Sequence, residues 1–491
     1  MLRKIASLGV LQLAGILINI TRAKVFAVLL GPAGFGVVAT IDQLVLSTVQ
    51  ITNLSLPFTA LKFLSRSHSQ GEEKFRRSYS AFSKAMGLLA IIATLVAIVA
   101  IPPTLDHLDS QIASYREPVT IALLGIPATM LLIFLTNVLA ARQESAASVV
   151  LTVLSGAAIL LAGTAGCLVG GISGIYFGAV LASTLLMIAA FIFLWKRRNL
   201  PAWTDTSGAW KEWTRNSEMF WVTFFVFFAV ASAAAQLFLA RYAAITRISA
   251  EAAGFLQACF AVALSIGAVL GPANAQYFMP YVNRAIPAAE KFEAADRFLP
   301  RLVLLYCLGA LAVLLFPGMV LTVLFSREFV PAVSILFWFV AWQCLYQCSN
   351  IYQQLLLGLD DAKGYALVTT VGNLVAAALS MLLVGRFDLL GIGVGFVVGA
   401  LITAALTGAR LRSKHRLAIP PAVTVVVIYA IAGFVLVTMA GKLTVELSLI
   451  GLLARSLTAI IFLTGLWFAL PRPMRVELSS AVASRWRALM R

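Results

Sequence analysis

The stretch Thr21–Leu44, TRAKVFAVLLGPAGFGVVATIDQL, decides the fold. Upstream of its Gly31-Pro32-Ala33 turn an apolar run reaches back to about residue 8, and downstream a second run continues to about residue 61. At about 1.5 Å per helical residue, each run covers the roughly 30 Å of a bilayer's hydrocarbon core. The first run follows Arg3 and Lys4 and holds no small-residue cleavage site, so it reads as an uncleaved first span. Arg22 and Lys24 fall inside the first span and Asp42 inside the second. Charge at such depth is costly and asks for a reason.

The rest of the chain repeats this pattern. Of 491 residues, 61% are hydrophobic and 12% charged, against roughly a quarter charged in a soluble domain. The expectation is an all-α polytopic membrane protein of about 14 transmembrane helices. Their approximate cores are 8–30, 34–61, 86–104, 119–141, 145–169, 172–195, 219–240, 252–281, 302–325, 330–357, 365–385, 389–409, 417–440 and 447–470. The charged loops, about 15 to 25 residues at most, are too short to build a soluble core.

The net charge of +17 could suggest nucleic acid, but its placement argues for topology. With these spans, Lys and Arg divide 28 to 6 between the two sides, with Arg22, Lys24 and Arg455 inside spans. The basic side holds Lys62, Arg66, Lys74, Arg76, Arg77, Lys196, Arg197, Arg198, Arg410, Arg412, Lys414 and Arg416. By the positive-inside rule it faces the cytoplasm, with both termini. Loops on the other side, such as the one with Asp106, Asp109 and Glu117, are short and mildly acidic. Attraction to anionic lipid is a secondary consequence.

Sliding the chain by about 217 positions reveals an internal repeat. Gly36-Val37 answers to Gly254-Phe255, Glu144-Ser145 to Asp361-Ala362, Leu168-Val169-Gly170 to Leu383-Val384-Gly385, and Gly174-Ile175 to Gly391-Ile392. The expected organisation is therefore two pseudo-symmetric six-helix lobes, residues 1–200 and 201–415, with two peripheral helices and a cytoplasmic tail in 416–491. An even number of spans per copy keeps the second lobe in the same orientation, about an axis along the membrane normal and around a central cavity.

The segment Thr21–Leu44 resembles the first-to-second helix signature of the polysaccharide-exporter branch of the multidrug/oligosaccharidyl-lipid/polysaccharide superfamily. LFSREFVPAVSILFWF from Leu324 to Phe339, LLGLDDAKGYALVTTVGNLV, and GRFDLLGIGVG up to Gly395 resemble that family's second lobe. The resemblance implies a bacterial inner-membrane flippase. It would move a polyprenyl-pyrophosphate-linked oligosaccharide, such as an O-antigen or exopolysaccharide unit, by alternating access. Its partners would be that substrate, membrane lipids and polysaccharide assembly machinery, with no nucleic acid and no cofactor.

Such a substrate carries an anionic head through hydrocarbon, so its path needs shielded positive charge and hydrogen-bonding groups. Arg22 lies roughly 21 Å from the cytoplasmic end of its helix by helical rise, with Lys24 two residues on. Either both snorkel to the far interface, or they contact pyrophosphate or glycan. In related lipid II flippases basic residues of this helix are associated with substrate binding, and Arg22 and Lys24 fall in the matching stretch. Arg241 is the second-lobe counterpart of the pair, as interfacial anchor or cavity ligand. Arg455 has a lipid phosphate or a neighbouring helix as its expected partner. Asp42 either pairs with Arg22 or Lys24 or binds a coupling proton or cation.

Polar faces complete the candidate site. Gln343, Gln347, Asn350 and Gln354, spaced 4, 3 and 4, put four amides on one helical face. They suit sugar hydroxyls, or hydrogen bonds between helices. Gln43, Gln50 and Asn53 form a similar stripe, and Asn274 and Gln276 lie beside Pro272. The aromatic run Phe220–Phe228 reads mainly as lipid contact or packing. Cys167, Cys259, Cys307, Cys344 and Cys348 all lie in apolar runs, where neither a disulfide nor a metal site is expected.

No nucleotide-binding loop, carboxylate pair or metal cluster appears, so the chain reads as a transporter and not an enzyme. A multidrug or cation antiporter of the same superfamily is the alternative, although it should favour an acidic cavity. A membrane glycan polymerase or ligase is the third reading, and it usually needs a large extracytoplasmic loop.

Overall fold

The computed structural model describes residues 2–108, 114–198, 217–274, 278–282, 286–442, 449–477 and 479–480. Asp109 and Gln276 lie outside these residues. Among them, ten helices are long and apolar enough to cross a membrane, and Leu453–Ala469 is a shorter apolar helix. Their outward faces carry bare aliphatic side chains, with Val169 93% and Val99 73% exposed. A soluble protein would bury such residues, whereas here the hydrocarbon solvates them. The chain is therefore an all-helical, multi-pass membrane protein.

The helices are α1 (Leu2–Thr52), α2 (Leu56–Ser69), α3 (Glu72–Leu108), α4 (Arg116–Leu123), α5 (Ile126–Ala141), α6 (Ser145–Arg198), α7 (Ser217–Arg247) and α8 (Ala250–Ala273). They continue with α9 (Met279–Val282), α10 (Ala288–Leu315), α11 (Pro317–Leu324), α12 (Val333–Gly358), α13 (Ala362–His415), α14 (Pro421–Lys442) and α15 (Leu449–Ala469).

Three of these are about twice the length one crossing needs, and each contains a non-helical break: α1 at Gly31, α6 at Gly170 and Gly171, α13 at Asp388. In α6 the break is a reversal. A methyl group on Gly166 would sit 1.9 Å from the carbonyl oxygen of Gly174, so only glycines allow the two halves to lie this close. In α13 the Ser380 hydroxyl donates to the Ile392 carbonyl at 3.4 Å, closing the same kind of hairpin.

Shorter breaks precede prolines. The expected span 34–61 is split at Leu54–Ser55, both with positive φ, two residues before Pro57. The expected span 119–141 breaks at Leu124–Gly125 before Pro127, and 302–325 breaks at Phe316 before Pro317. Proline supplies no N–H to the preceding turn and is tolerated in a helix's first turn, so each run ends one helix and starts another. Apolar composition alone does not mark these breaks.

The expected repeat has a counterpart in the backbone. Gln143 and Asp360, 217 positions apart, both take left-handed φ, 62° and 57°. The following amides close the same turn: Glu144 N–H donates to Leu139 and Asp361 N–H to Leu356, each at 2.9 Å. Gly171 (φ 58°, ψ −137°) and Asp388 (φ 48°, ψ −138°) match at the same offset.

Two compact units divide the chain. The first comprises residues 1–257, 324–328 and 377–392. Its α1 packs on α6 and α7, and Phe75, Tyr79 and Phe134 stack between α3 and α5 at 6.4 and 6.0 Å. The second comprises 258–323, 329–376 and 393–491. Phe260, Phe339, Trp342 and Phe396 knit α8, α12 and α13 together, with the Phe260–Phe339 centroids 4.9 Å apart.

Candidate functional site

In the first unit, the Gly31 break (φ 64°) lets α1 carry charge on both sides of a bend. Arg22 is half-buried before it and Lys24 exposed; Asp42 is half-buried after it. The direct partner of Asp42 is a hydroxyl that the sequence did not single out. Tyr176 of α6 donates to Asp42 Oδ1 at 3.1 Å and faces the Val38 carbonyl at 2.9 Å. Arg22 and Arg241 both lie within electrostatic reach of the Asp42 carboxylate.

Arg241 is 5% exposed. Its Nε and Nη2 donate to the Gln257 side-chain oxygen at 3.1 and 2.7 Å, and Nη1 donates to the Leu237 carbonyl at 3.0 Å. Neutral oxygens thus fix the plane of the guanidinium, and a hydrogen bond to a neutral acceptor leaves the charge in place. Beside it, Gln43 Nε2 donates to Ser47, whose hydroxyl donates to the Ala234 carbonyl at 3.2 Å, tying α1 to α7. Two arginines around one carboxylate give this cluster the means to hold an anion.

The amide face stands on α12 in the second unit. Gln343 is buried and Gln347, Asn350 and Gln354 half-buried. Gly267 of α8 makes room for the first two. A methyl there would lie 2.2 Å from the Gln343 amide nitrogen and 2.7 Å from that of Gln347. Gln354 donates to Asn350 at 3.4 Å, while the side-chain oxygens of Gln343 and Gln354 are buried without a hydrogen-bond partner. Such acceptors call for donors, the chemistry of hydroxyl groups.

The remaining candidates fall elsewhere. Gln50 is half-buried, and Asn53 serves the α1–α2 break by accepting the Ser55 N–H at 3.0 Å. The half-buried Asn274 presents an unpartnered oxygen. Phe220, Trp221, Phe224 and Phe228 are exposed and pack against one another along α7, Phe224 and Phe228 edge to face with centroids 5.0 Å apart. Arg455 is 3% exposed and donates to the carbonyls of Leu315, and of Gly441 at 3.1 Å, so its partners are the ends of neighbouring helices α10 and α14. Cys259, Cys307, Cys344 and Cys348 are buried thiols. The described residues hold no cluster of three metal-ligating side chains.

At the polar end of α13, a second charge centre forms. Asp361 caps the helix, accepting the Gly364 N–H at 3.1 Å. It also accepts Arg410 Nε at 2.8 Å and Nη2 at 3.0 Å, Lys414 Nζ at 2.7 Å, and faces His415 Nε2 at 3.2 Å. Burial alone would push this carboxyl up. The hydrogen bonds from Arg410, Lys414, His415 and Gly364 more than offset it and hold Asp361 well below the usual carboxylate range.

No protein-family model matches the chain, and no curated protein matches it by sequence. Solved structures do match it. The lipid II flippase MurJ in an inward closed conformation aligns with a TM-score of 0.68 at 11% identity, over 94% of this chain and 98% of that one. An inward-facing multidrug resistance MATE transporter of the MOP superfamily aligns at 0.66 and 12% identity, over 83% and 99%. The MATE multidrug transporter DinF-BH, solved as a complex, aligns at 0.60 and 15%, over 84% and 95%. The chain therefore has the fold shared by a lipid II flippase and the MATE transporters of the MOP superfamily.

Proposed function

We propose that this chain is a flippase that carries a polyprenyl-pyrophosphate-linked oligosaccharide across the bacterial inner membrane by alternating access. The observation that carries this reading is the cationic excess around the half-buried Asp42, with Arg241 buried beside it. Placing an arginine at bilayer depth costs roughly 2.5–3.5 kcal/mol on insertion scales, and here both Arg22 and Arg241 lie within electrostatic reach of one carboxylate. In this reading Arg22, Lys24 and Arg241 attract the pyrophosphate, Gln343, Gln347, Asn350 and Gln354 meet sugar hydroxyls, and Asp42 serves as ion-pair partner or coupling group. The matching turns 217 residues apart support a tandem duplication with six crossings per copy. With α14 and α15 that makes fourteen, both termini in the cytoplasm.

The likeness to the flippase and to the MATE transporter carries the fold and favours neither substrate. A second reading, a multidrug or cation antiporter, draws on Asp42 and on the likeness to the MATE structures.

Reconstituted vesicles separate the two. A fluorescent polyprenyl-pyrophosphate oligosaccharide in the inner leaflet should become accessible to an impermeant quencher faster than in protein-free vesicles. A cationic dye should show no ion-gradient-dependent export. Dye export without glycan flipping would replace the flippase by the antiporter.

A further inference from the structure

The second unit contains an apolar cavity of about 570 Å³, lined by parts of α10, α12, α13 and the start of α14. Small residues make the space. Ala404, Ala405 and Gly408 of α13 line it, spaced so that they share one helical face, and Arg412 ends that face one turn later. Leu345, Cys348, Ser349 and Tyr352 of α12 line it as well, again at helical spacing. Among the described lining residues Arg412 is the only charged side chain, and it is exposed at the polar end of the helix.

The neighbouring charges explain why Arg412 is turned this way. Arg410, Lys414 and His415 all reach Asp361. Arg412 lies two residues from Arg410, about 200° around the helix at 100° per residue, and so falls outside that clamp and beside the cavity. The cavity thus pairs an apolar slot with a cation at its water-facing mouth, which matches one acyl chain ending in an anionic headgroup. A slot of this size, lined on both sides by small and aliphatic residues, suits a single acyl chain with its headgroup at the cation.

We propose that the cavity between α12, α13 and α14 binds an acyl chain of an anionic phospholipid of the cytoplasmic leaflet, its phosphate held by Arg412. The site rests on the membrane reading of the chain and not on the glycan substrate, so its fate and that of the flippase assignment are separable. A lipid here would link α13 to α14 without entering the Asp42 cluster.

Native mass spectrometry of the full chain in detergent tests this, with phosphatidylglycerol and phosphatidylcholine of equal acyl length as probes. The expected result is one saturable phosphatidylglycerol bound about ten-fold more tightly than phosphatidylcholine. Arg412→Glu should erase that preference, and Arg412→Lys should keep most of it. Ala405→Phe, at an exposed position, fills the slot and should weaken both lipids alike. Three results would overturn the site. Arg412→Glu could retain phosphatidylglycerol as the parent does, lipids could add without saturation as annular lipid does, or polyprenyl phosphate could displace phosphatidylglycerol one for one at equal concentration.

Discussion

Arg241 shows how one side chain is kept charged and aimed inside an apolar bundle. Gln257 Oε1 and the Leu237 carbonyl take its hydrogen bonds. Asp42, with Tyr176 on its oxygen, supplies negative charge nearby. Arg22 completes the set from the other side of the Gly31 bend and is the residue on which the flippase reading is most open to test. Arg22→Ala should reduce glycan flipping at least ten-fold while the protein still inserts. Arg22→Lys should recover only part, because lysine keeps the charge but loses the planar fork suited to phosphate oxygens. A residue that only snorkels tolerates either change. Full flipping by Arg22→Gln at normal abundance would remove Arg22 from the substrate path. Tyr176 and Gln257 were not legible beforehand, since one polar residue in an apolar run has no periodic signature until its neighbour is known.

At the scale of elements, glycine and proline decide where the long apolar runs turn. Gly166 and Gly174 let α6 double back on itself, and Asp388 does so for α13. The two ends of the α13 hairpin are then held together by Asp361 and its bases Arg410 and Lys414. Removing the carboxylate leaves those cations without their common partner. Their side chains are 28% and 48% exposed, so water replaces part of the loss, and Asp361→Asn should cost about 1–3 kcal/mol at pH 7. Because the folded carboxyl titrates well below its unfolded value near 3.9, the stabilisation is complete above about pH 5. It fades as pH falls below about 4. Thermal unfolding in detergent should therefore separate parent from variant at pH 7 and bring the two together in acid. An equal difference at both pH values would show that Asp361 acts through helix capping alone.

For the whole molecule, the prediction is topological. Reporters fused after Arg77, Arg198, Arg297 and Arg416 should read cytoplasm, and one near Asp388 should read the opposite side. The 28 to 6 division of Lys and Arg motivates this, as do the three helices of double length. Each of these must count as two crossings for fourteen to be right. An extracytoplasmic reporter at Arg416 would break that count.

What the sequence determined by itself is what depends on composition and short spacing: membrane residence, all-helical class and the Gly31 turn. These are local or summed properties, because the bilayer acts on every residue by its own transfer energy and a turn is set by a few neighbouring dihedrals. The tertiary structure decided which faces meet. Tyr176 on Asp42, Gln257 on Arg241, Gly267 beneath Gln343, and Arg455 on two helix ends all join residues on different helices. In lipid the apolar faces are nearly interchangeable, so packing shape and buried hydrogen bonds select the partner, and neither can be read from one helix alone.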